Sequence, residues 1–354
     1  MTVTAPQRTE DLELINRALH EFLTEQLART LDHDERFRDL WHRIIELAQG
    51  GKRVRPRAVL SAHHHLGGTR HDDALATAVA FELLHTALVI HDDIIDGDLE
   101  RRGAPNITAR FAEDAAQQGV SAARSRLWGE TMSLLGGDLL LTSAVRIAGE
   151  LDAPRRVRAR VAALIDESIY EAASGEQADV AFGIGLDTPD PSAIRTMMER
   201  KTASYSFDAP LRAGAVLAGA DDLVVRRLGT IGRSLGLLFQ MRDDLLGVFG
   251  TPEETGKSAS GDLREGKVTL LVSHAAGTPE WAEVASHWGS ADLDEAGVEL
   301  LRDALIRSGA RDRLECEIAD QAAHTFDLIE IAELPIAFGD ELRYATQNGI
   351  ERSR

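Results

Sequence analysis

Hydrophobic residues recur at three- and four-residue steps along most of the chain, which is the spacing of one face of an α-helix. From Asp11 to Leu31, the residues that follow this spacing are Leu12, Ile15, Leu19 and Leu23. The stretch from Asp72 to Ile95 is apolar on nearly all sides, which predicts a buried helix. Similar segments cover about 130–150, 155–182, 192–218, 221–249 and 293–333. Strand-like alternation is absent at any useful length.

Glycine and proline separate these predicted helices. Gly50-Gly51 precedes a predicted helix that contains Pro56, and the longest irregular stretch runs from Gly250 to Gly266. A long loop in a compact helical protein is more often functional than idle. No repeat or shift in composition marks a boundary, so we expect one all-α domain over residues 1–354. Its ends, 1–10 and 350–354, are expected to be poorly ordered.

Charge and composition narrow the class of protein. The 39 Lys and Arg against 58 Asp and Glu give a net charge of -19, which argues against nucleic acid and anionic membrane as general partners. Cys316, the one cysteine, cannot form an intramolecular disulfide and indicates a reducing compartment. No run approaches 18 apolar residues and the start has no apolar signal core, so a cytoplasmic protein without a transmembrane helix is expected.

An acidic cluster, Asp92, Asp93 and Asp96, ends the buried helix. Asp92 and Asp96 are four residues apart, so both carboxylates leave the same helix face. Asp93 points about 100° away. Stacked like charges at the end of an apolar helix are unfavourable unless a cation compensates them, and carboxylates completed by water and phosphate suit Mg²⁺. A solvated acidic helix end is the alternative, and the apolar run 87–90 directly before the cluster favours metal.

A second acidic pair, Asp243-Asp244, ends another apolar helix, with Gln240 one turn before it. Two such clusters on buried helices are better explained by one site than by coincidence. Basic residues follow at defined places, and together they could hold two diphosphates in an acidic protein, although each alone fits a solvated surface. They are Lys52, Arg53, Arg55, Arg101, Arg102, Lys201, Lys257 and Lys267.

These residues stand in segments that resemble the trans-isoprenyl diphosphate synthases, also called polyprenyl synthetases, and most of all the geranylgeranyl diphosphate synthases. The segments are, in order, GKRVRP, HTALVIHDDIIDGDLERRG, KT, FQMRDDLLG and GKSASGDLREGK. The match spans roughly Gly50 to Leu271. The resemblance implies an all-α bundle around a deep central cavity, usually a homodimer, that joins isopentenyl diphosphate to an allylic diphosphate.

The resemblance also implies a role for each matching residue. The diphosphate of isopentenyl diphosphate would be held by Lys52, Arg55 and His85, with Arg102 assisting. The allylic diphosphate would be held by Arg101, Lys201 and Lys257, with Lys267 helping to close the site. Two Mg²⁺ would be held by Asp92 and Asp96, and a third Mg²⁺ by Asp243. The reacting carbons would be lined by Thr202 and Gln240.

Histidine and glycine positions qualify these roles. A lone His on an apolar helix, such as His85, is more often a core residue, and the resemblance reverses that interpretation. The consecutive residues His63, His64 and His65 face different sides of a helix and are interpreted as structural. The second motif departs from the DDxxD pattern of many members, because Gly247 stands where the last Asp would be. We still expect three metal ions, since one carboxylate with phosphate and water can hold Mg²⁺.

The chemistry needs a neutralised leaving group and a dry pocket for the carbocation. The released diphosphate can take the final proton, so no protein general base is required. In the family, bulk four and five residues before the first Asp stops chain growth, and here Leu88 and Ala87 offer no aromatic ring. Leu84 and Phe81 follow on that face, about 5.4 Å per helical turn, near one isoprene unit. This favours geranylgeranyl diphosphate (C20), with farnesyl or longer products as alternatives.

Three other functions compete with this interpretation. A terpene cyclase would use the first acidic motif but has no need of Lys52, Arg55 and His85. A non-catalytic partner subunit usually loses an acidic motif, whereas this chain keeps the first intact and the second in part. A metal phosphohydrolase, suggested by His91-Asp92, needs further spaced histidines and leaves GKRVRP unexplained.

Overall fold

Helices follow one another along the chain, as the hydrophobic spacing predicts. The protein is described here by a computed structural model that covers residues 5–250, 261–290 and 292–351. The first helices are α1 Ala5–Ala28, α2 Glu35–Leu47, α3 Val54–His65, α4 His71–Ile95, α5 Ile107–Gln117, α6 Ala122–Glu150 and α7 Arg155–Gly183. They are followed by α8 Pro191–Met198, a π-helix Glu199–Asp208, α9 Ala209–Ala218 and α10 Asp222–Phe249. The last are α11 Gly261–Glu265, α12 Leu270–Ala275, α13 Pro279–Ala282, a 3₁₀ turn Ala285–His287, α14 Glu295–Arg307, α15 Ala310–Ile331 and α16 Ile336–Glu351.

The chain forms two compact units. The first comprises Met1–Asp166 and Pro210–Asp221, and the second comprises Glu167–Ala209 and Asp222–Arg354. The all-α class is therefore confirmed, while the expectation of one domain with poorly ordered ends at 1–10 and 350–354 stays a prediction. Each unit is built around one long apolar helix, α4 in the first and α10 in the second.

Helix α4 forms the core of the first unit because its residues are apolar almost all round. Phe81, Leu83 and Leu84 are at most 1% exposed, and α3, α5 and α6 pack against the helix. Glycine on α6 permits the close approach. An added Cβ at Gly137 would lie 2.5 Å from Cδ2 of the His91 ring, well inside van der Waals contact. Burial of its apolar residues, more than helix propensity, therefore stabilises α4.

Helix α10 is the core of the second unit, and it meets the π-helix closely. An added Cβ at Gly236 would lie 2.5 Å from Cα of Ala203, and one at Gly232 would lie 2.6 Å from Cα of Asp208. Both glycines are therefore needed for the two backbones to approach. The spacing had predicted one regular helix over 192–218. The structure keeps the segment helical but winds Glu199–Asp208 as a π-helix, a form that often occurs at functional sites.

Three details differ from the sequence-based expectations. The predicted helix 293–333 is wrong as one element, because Gly309 adopts φ 75° and separates α14 from α15. The predicted irregular stretch Gly250–Gly266 contains the helical turn α11; residues 251–260 lie outside the described residues. A two-residue ladder pairs Glu100–Arg101 with Ala104–Pro105, and these are the strands in the described part of the chain.

Helices α4 and α6 are long and apolar enough to pass a length-and-composition test for membrane spans. Within the fold, 67% of the apolar window of α4 is buried, as befits a core helix. For α6 the buried share is 44%. Two such helices do not show a membrane span.

Of the three consecutive histidines, His63 is structural; for His64 and His65 this stays a prediction. His63 is 2% exposed, and its Nε2 accepts a hydrogen bond from the backbone N–H of Arg70 at 3.2 Å. An added Cβ at Gly68 would enter the His63 ring. Burial, followed by the neighbouring His71 and His64, lowers the pKa of His63 to about 4, so the ring is neutral at pH 7.

Candidate active site

The first acidic motif lies at the end of α4 in the geometry that the spacing predicts. The backbone N–H of Asp96 donates to the carbonyl oxygen of Asp92 at 2.8 Å, so the helical turn continues through Asp96. The carboxylates of Asp92 and Asp96 therefore leave the same face. Both residues are half-buried. Two acids at this spacing form a donor set suited to Mg²⁺ with water and phosphate.

Asp93, the middle acid of the motif, has a different environment. It is 4% exposed and accepts hydrogen bonds from Nε and Nη2 of Arg101, and Asn106 donates to it at 3.2 Å. Burial raises the pKa of Asp93, and Arg101 offsets part of this effect. Nη2 of Arg101 also lies 3.7 Å from Oδ2 of Asp92. Asp93 thus fixes Arg101 directly beside Asp92, one of the two candidate metal ligands in this motif.

Sequence reasoning placed Asp93 on another face but did not find its partner. Arg101 lies eight residues after Asp93, beyond the end of α4. The two contact each other because the short ladder at 100–105 folds Arg101 back over the helix end. The buried position of Asp93 on an apolar helix was the available signal, since a buried charge is normally paired.

The GKRVRP segment forms a tight loop next to the Arg102 guanidinium. Gly50 and Gly51 have φ of 76° and 91°, values that favour glycine. Nη1 of Arg102 donates to the carbonyl oxygen of Gln49 at 3.0 Å, and an added Cβ at Gly51 would lie 3.4 Å from Nη2. The loop and the turn after the first acidic motif therefore meet within the first unit.

Arg53 fixes this loop to the core. It has a left-handed backbone with φ 49°, and its side chain is 4% exposed. Its guanidinium donates to Oε1 of Glu82 at 2.5 Å, to the carbonyl oxygen of Ala48 at 2.5 Å, and to Oδ1 of Asn16 at 2.9 Å. The sequence places Arg53 among the bases that could hold diphosphates but assigns it no individual role. Its three hydrogen bonds instead hold the backbone between Lys52 and Arg55 in place.

His85 lies one turn after Glu82 and is half-buried by exposed area. Burial, followed by the positive charges of Arg55, Arg101 and Arg102, lowers the pKa of His85 well below its usual value. With Arg53, four guanidiniums are thus close enough to act on one imidazole. Such a cluster of cations can accept an anion, because a phosphate group would relieve their mutual repulsion.

Lys201, in the second unit, lies on the π-helix against α7. Its Nζ is 2.6 Å from Oδ2 of Asp179 and 3.0 Å from Oε2 of Glu176. An added Cβ at Gly175 would lie 2.6 Å from Cα of Lys201, so this glycine lets the π-helix approach. Thr202 follows and is half-buried.

The second acidic motif lies near the end of α10. Nε2 of Gln240 donates to Oδ1 of Asp244 at 2.8 Å, and Asp244 is 7% exposed. Burial, followed by the negative charge of Asp262, raises the pKa of Asp244 to about 8. Asp243 is exposed. Gln240 therefore orients a buried acid that sequence reasoning did not use, and its predicted place near the reacting carbons stays a prediction.

The remaining predicted residues have these positions. Nζ of Lys267 lies 2.9 Å from Oε2 of Glu265, and the backbone N–H of Lys267 donates to the carbonyl oxygen of Asp262 at 3.0 Å. Lys257 lies outside the described residues. The predicted chain-length residues lie along α4, where Phe81, Leu84 and Ala87 are fully buried and Leu88 is half-buried.

Each unit thus gathers part of the predicted set. The first brings together the bases of GKRVRP, His85, Arg101, Arg102 and the acids Asp92 and Asp96. The second holds Lys201, Thr202, Gln240, Asp243 and Lys267.

Comparison with known proteins decides the family. The family model described as polyprenyl synthetase matches residues 37–302, well over half of the chain. The chain belongs to the polyprenyl synthetase family. The members that it resembles are prenyl diphosphate synthases, so the chain is a prenyltransferase of the trans-isoprenyl type. The family uses isopentenyl and allylic diphosphates and depends on Mg²⁺.

Relatives within the polyprenyl synthetase family carry several product names. The chain is 36% identical over 273 residues to a (2E,6E)-farnesyl diphosphate synthase of Mycobacterium tuberculosis, covering 75% of this chain and 67% of that one. It is 31% identical over 330 residues to heptaprenyl diphosphate synthase component 2 of Geobacillus stearothermophilus, covering 90% and 94%.

The fold is likewise that of solved family members. A geranylgeranyl pyrophosphate synthase from Corynebacterium glutamicum, solved with isoprenyl diphosphate and magnesium, matches with a TM-score of 0.89 at 26% identity, over 97% of this chain and 99% of that one.

Proposed function

We propose that this prenyltransferase extends allylic diphosphates with isopentenyl diphosphate to geranylgeranyl diphosphate. One observation carries the proposal: Nη2 of Arg101 lies 3.7 Å from Oδ2 of Asp92, while Nη1 of the adjacent Arg102 donates to the carbonyl oxygen of Gln49 beside the GKRVRP loop. Bases proposed to bind one diphosphate thus lie next to the acidic motif proposed to bind the metal ions of the other. A terpene cyclase of similar fold takes one diphosphate and has no use for those bases.

Asp92 and Asp96 would hold two Mg²⁺ and Asp243 a third. The donor set fits, since Asp92 and Asp96 present half-buried oxygens on one face and Arg101 is already paired with Asp93. When bound, Mg²⁺ neutralises the negative charge that develops on the departing diphosphate.

The protein's own residues would bind and orient both substrates. Lys52, Arg55 and His85, assisted by Arg102, hold isopentenyl diphosphate so that its alkene faces the allylic carbon. Arg101 and Lys201, with Lys257 and Lys267, hold the allylic diphosphate. The C–O bond of the allylic diphosphate breaks, and the alkene of isopentenyl diphosphate forms the new C–C bond with the allylic carbon. The released diphosphate then takes the proton that the isopentenyl unit loses as the new double bond forms. Thr202 and Gln240 line the reacting carbons.

The apolar face of α4 would receive the growing chain. Ala87 and Leu88 place no aromatic ring directly before Asp92; Leu84 follows about one turn further back and Phe81 about two turns. The C20 product is favoured for this reason. The name of the mycobacterial relative supports C15 as the alternative.

A starter panel tests the proposal. The protein is incubated with isopentenyl diphosphate, Mg²⁺ and each of the C5, C10 and C15 allylic diphosphates, and the dephosphorylated products are identified by chromatography against standards. We expect all three to yield mainly C20. If the products end at C15, the proposed chain length is wrong. A cyclised hydrocarbon formed without isopentenyl diphosphate would indicate a terpene cyclase. Turnover that requires a second subunit would indicate a non-catalytic partner subunit.

We further propose that the protein is a cytoplasmic homodimer. Exposed apolar residues on α6 support an interface between copies, among them Leu127, Leu134, Leu135 and Val145. The single cysteine, Cys316, is exposed and suits a reducing compartment. Light scattering during size-exclusion chromatography should give about twice the chain mass of 38.5 kDa; a monomer would refute the dimer.

A further inference from the structure

Gly247 leaves the second acidic motif one carboxylate short. It lies four residues after Asp243 on the continuous helix α10, so the two positions share a face. In a DDxxD motif the second position would add a carboxylate beside that of Asp243. The absence of a side chain there therefore removes a potential oxygen ligand from the site.

The carboxylate of Asp262 occupies the place of that missing side chain. An added Cβ at Gly247 would lie 3.3 Å from Cγ of Asp262 and closer still to its Oδ2. The separation from Oδ2 is about that between Cβ and a carboxylate oxygen within one aspartate side chain, given ordinary bond lengths. An oxygen atom is thus present at the distance where an aspartate at 247 would place its own, and any larger residue at 247 would displace it.

Packing and backbone bonds hold Asp262 in this position. The neighbouring Leu263 is 1% exposed and belongs to the same buried cluster as Leu245 and Val248 of α10. The carbonyl oxygen of Asp262 accepts from the N–H of Lys267 at 3.0 Å, and that of Leu263 accepts from the N–H of Gly289 at 2.9 Å. Helix α11 is therefore fixed against α10.

We propose that Asp262 supplies, from helix α11, the carboxylate oxygen that position 247 does not supply to the Mg²⁺ site at Asp243. The inference rests on the proposed function of Asp243. Mg²⁺ is commonly held by one or two carboxylates with phosphate and water, so a second acid from a neighbouring helix meets the requirement. The missing side chain at Gly247 then leaves the space that the carboxylate of Asp262 occupies.

Metal binding without turnover tests this assignment. Mn²⁺ binding in the presence of inorganic pyrophosphate is measured by electron paramagnetic resonance for wild type, D262N, D243N and the double variant. Asp303, a surface acid paired with Arg307 in the same unit, provides the control D303N. We expect D262N to weaken the affected Mn²⁺ site about tenfold or more, as loss of a supporting acid typically does. D243N and D262N together should cost little more than D243N alone, because both act on one ion.

A swap variant separates chemistry from folding. G247D/D262G returns the carboxylate to α10, and it should recover most of the Mn²⁺ affinity that D262N loses. Wild-type affinity in D262N, or additive losses in the double variant, would overturn the inference while leaving the proposed function intact. Failure of wild type to bind Mn²⁺ with pyrophosphate would instead refute the proposed metal site itself. Circular dichroism shows whether each variant is folded. If G247D/D262G does not fold, the Mn²⁺ affinity of D262N decides the inference.

Discussion

The buried ion pair between Arg53 and Glu82 offers the sharpest prediction for the proposed isopentenyl diphosphate pocket. Glu82→Gln keeps the shape of the side chain but leaves the guanidinium charge without its anion. The two side chains are 4% and 7% exposed, so water cannot replace the lost partner. Removing one member of a buried pair typically costs about 3–5 kcal/mol. Asn16 and the carbonyl oxygen of Ala48 still accept from Arg53, which places the expected loss near the lower end, about 3 kcal/mol.

The assay is urea unfolding followed by circular dichroism, read as the change in midpoint at constant m-value. The matched control is Glu150→Gln, which breaks the surface ion pair with Arg146. In that pair the side chain of Arg146 is 40% exposed and that of Glu150 is 63% exposed. Pairs of this kind on a helix surface contribute about 0.3–0.5 kcal/mol. A loss in E82Q as small as that in E150Q would refute the idea that the pair is a buried anchor.

A second measurement shows whether the anchor serves the site. Arg53 holds the backbone between Lys52 and Arg55, so E82Q should raise KM for isopentenyl diphosphate about tenfold, equivalent to about 1.4 kcal/mol of binding. The double variant R53M/E82M should recover stability, because apolar replacement of both partners is often neutral. It should not recover KM, since the loop has lost its hydrogen bonds. Recovery of both would mean that the pair stabilises the fold without positioning the loop.

Three further outcomes follow from the structure. In His-selective NMR, His63 should stay neutral until about pH 4. Because the unfolded ring takes its proton near pH 6.5, the contribution of His63 to the free energy of unfolding should fall by roughly 3 kcal/mol between pH 6.5 and 4. A ring that titrates near pH 6.5 would contradict this. G175A should destabilise the protein by roughly 1–3 kcal/mol in urea, because its Cβ meets the backbone of Lys201, whereas G183A, with open space around it, should be neutral or slightly stabilising. A87F should shorten the main product when the chromatographic assay is repeated, and an unchanged product would refute the proposed path of the chain along α4.

The sequence predicts the long helices and the first acidic motif well, for a physical reason. Both α4 and the spacing of Asp92 and Asp96 depend on residues close in the chain, where the period of the helix determines which side chains share a face. The break at Gly309 was missed because the hydrophobic spacing continues on both sides of it. The π-helix was missed because it depends on how closely its backbone packs against glycines of α10.

Contacts between elements are what the linear pattern could not provide. The pairing of Arg101 with Asp93 requires the chain to turn back after α4. The approach of Asp262 to Gly247 joins positions fifteen residues apart on different helices, and a motif read along one helix records only the missing acid. Family resemblance supplied residue roles, but the buried anchors of those residues become visible only in the folded chain.

The proposed function requires that the first acidic motif and Asp243 act on one and the same diphosphate. A crystal structure with Mg²⁺ and inorganic pyrophosphate tests it most directly. The account predicts one diphosphate whose metal ions are bound by Asp92 and Asp96 on one side and by Asp243 on the other. A diphosphate held by only one of these motifs, with no metal at the other, would contradict it.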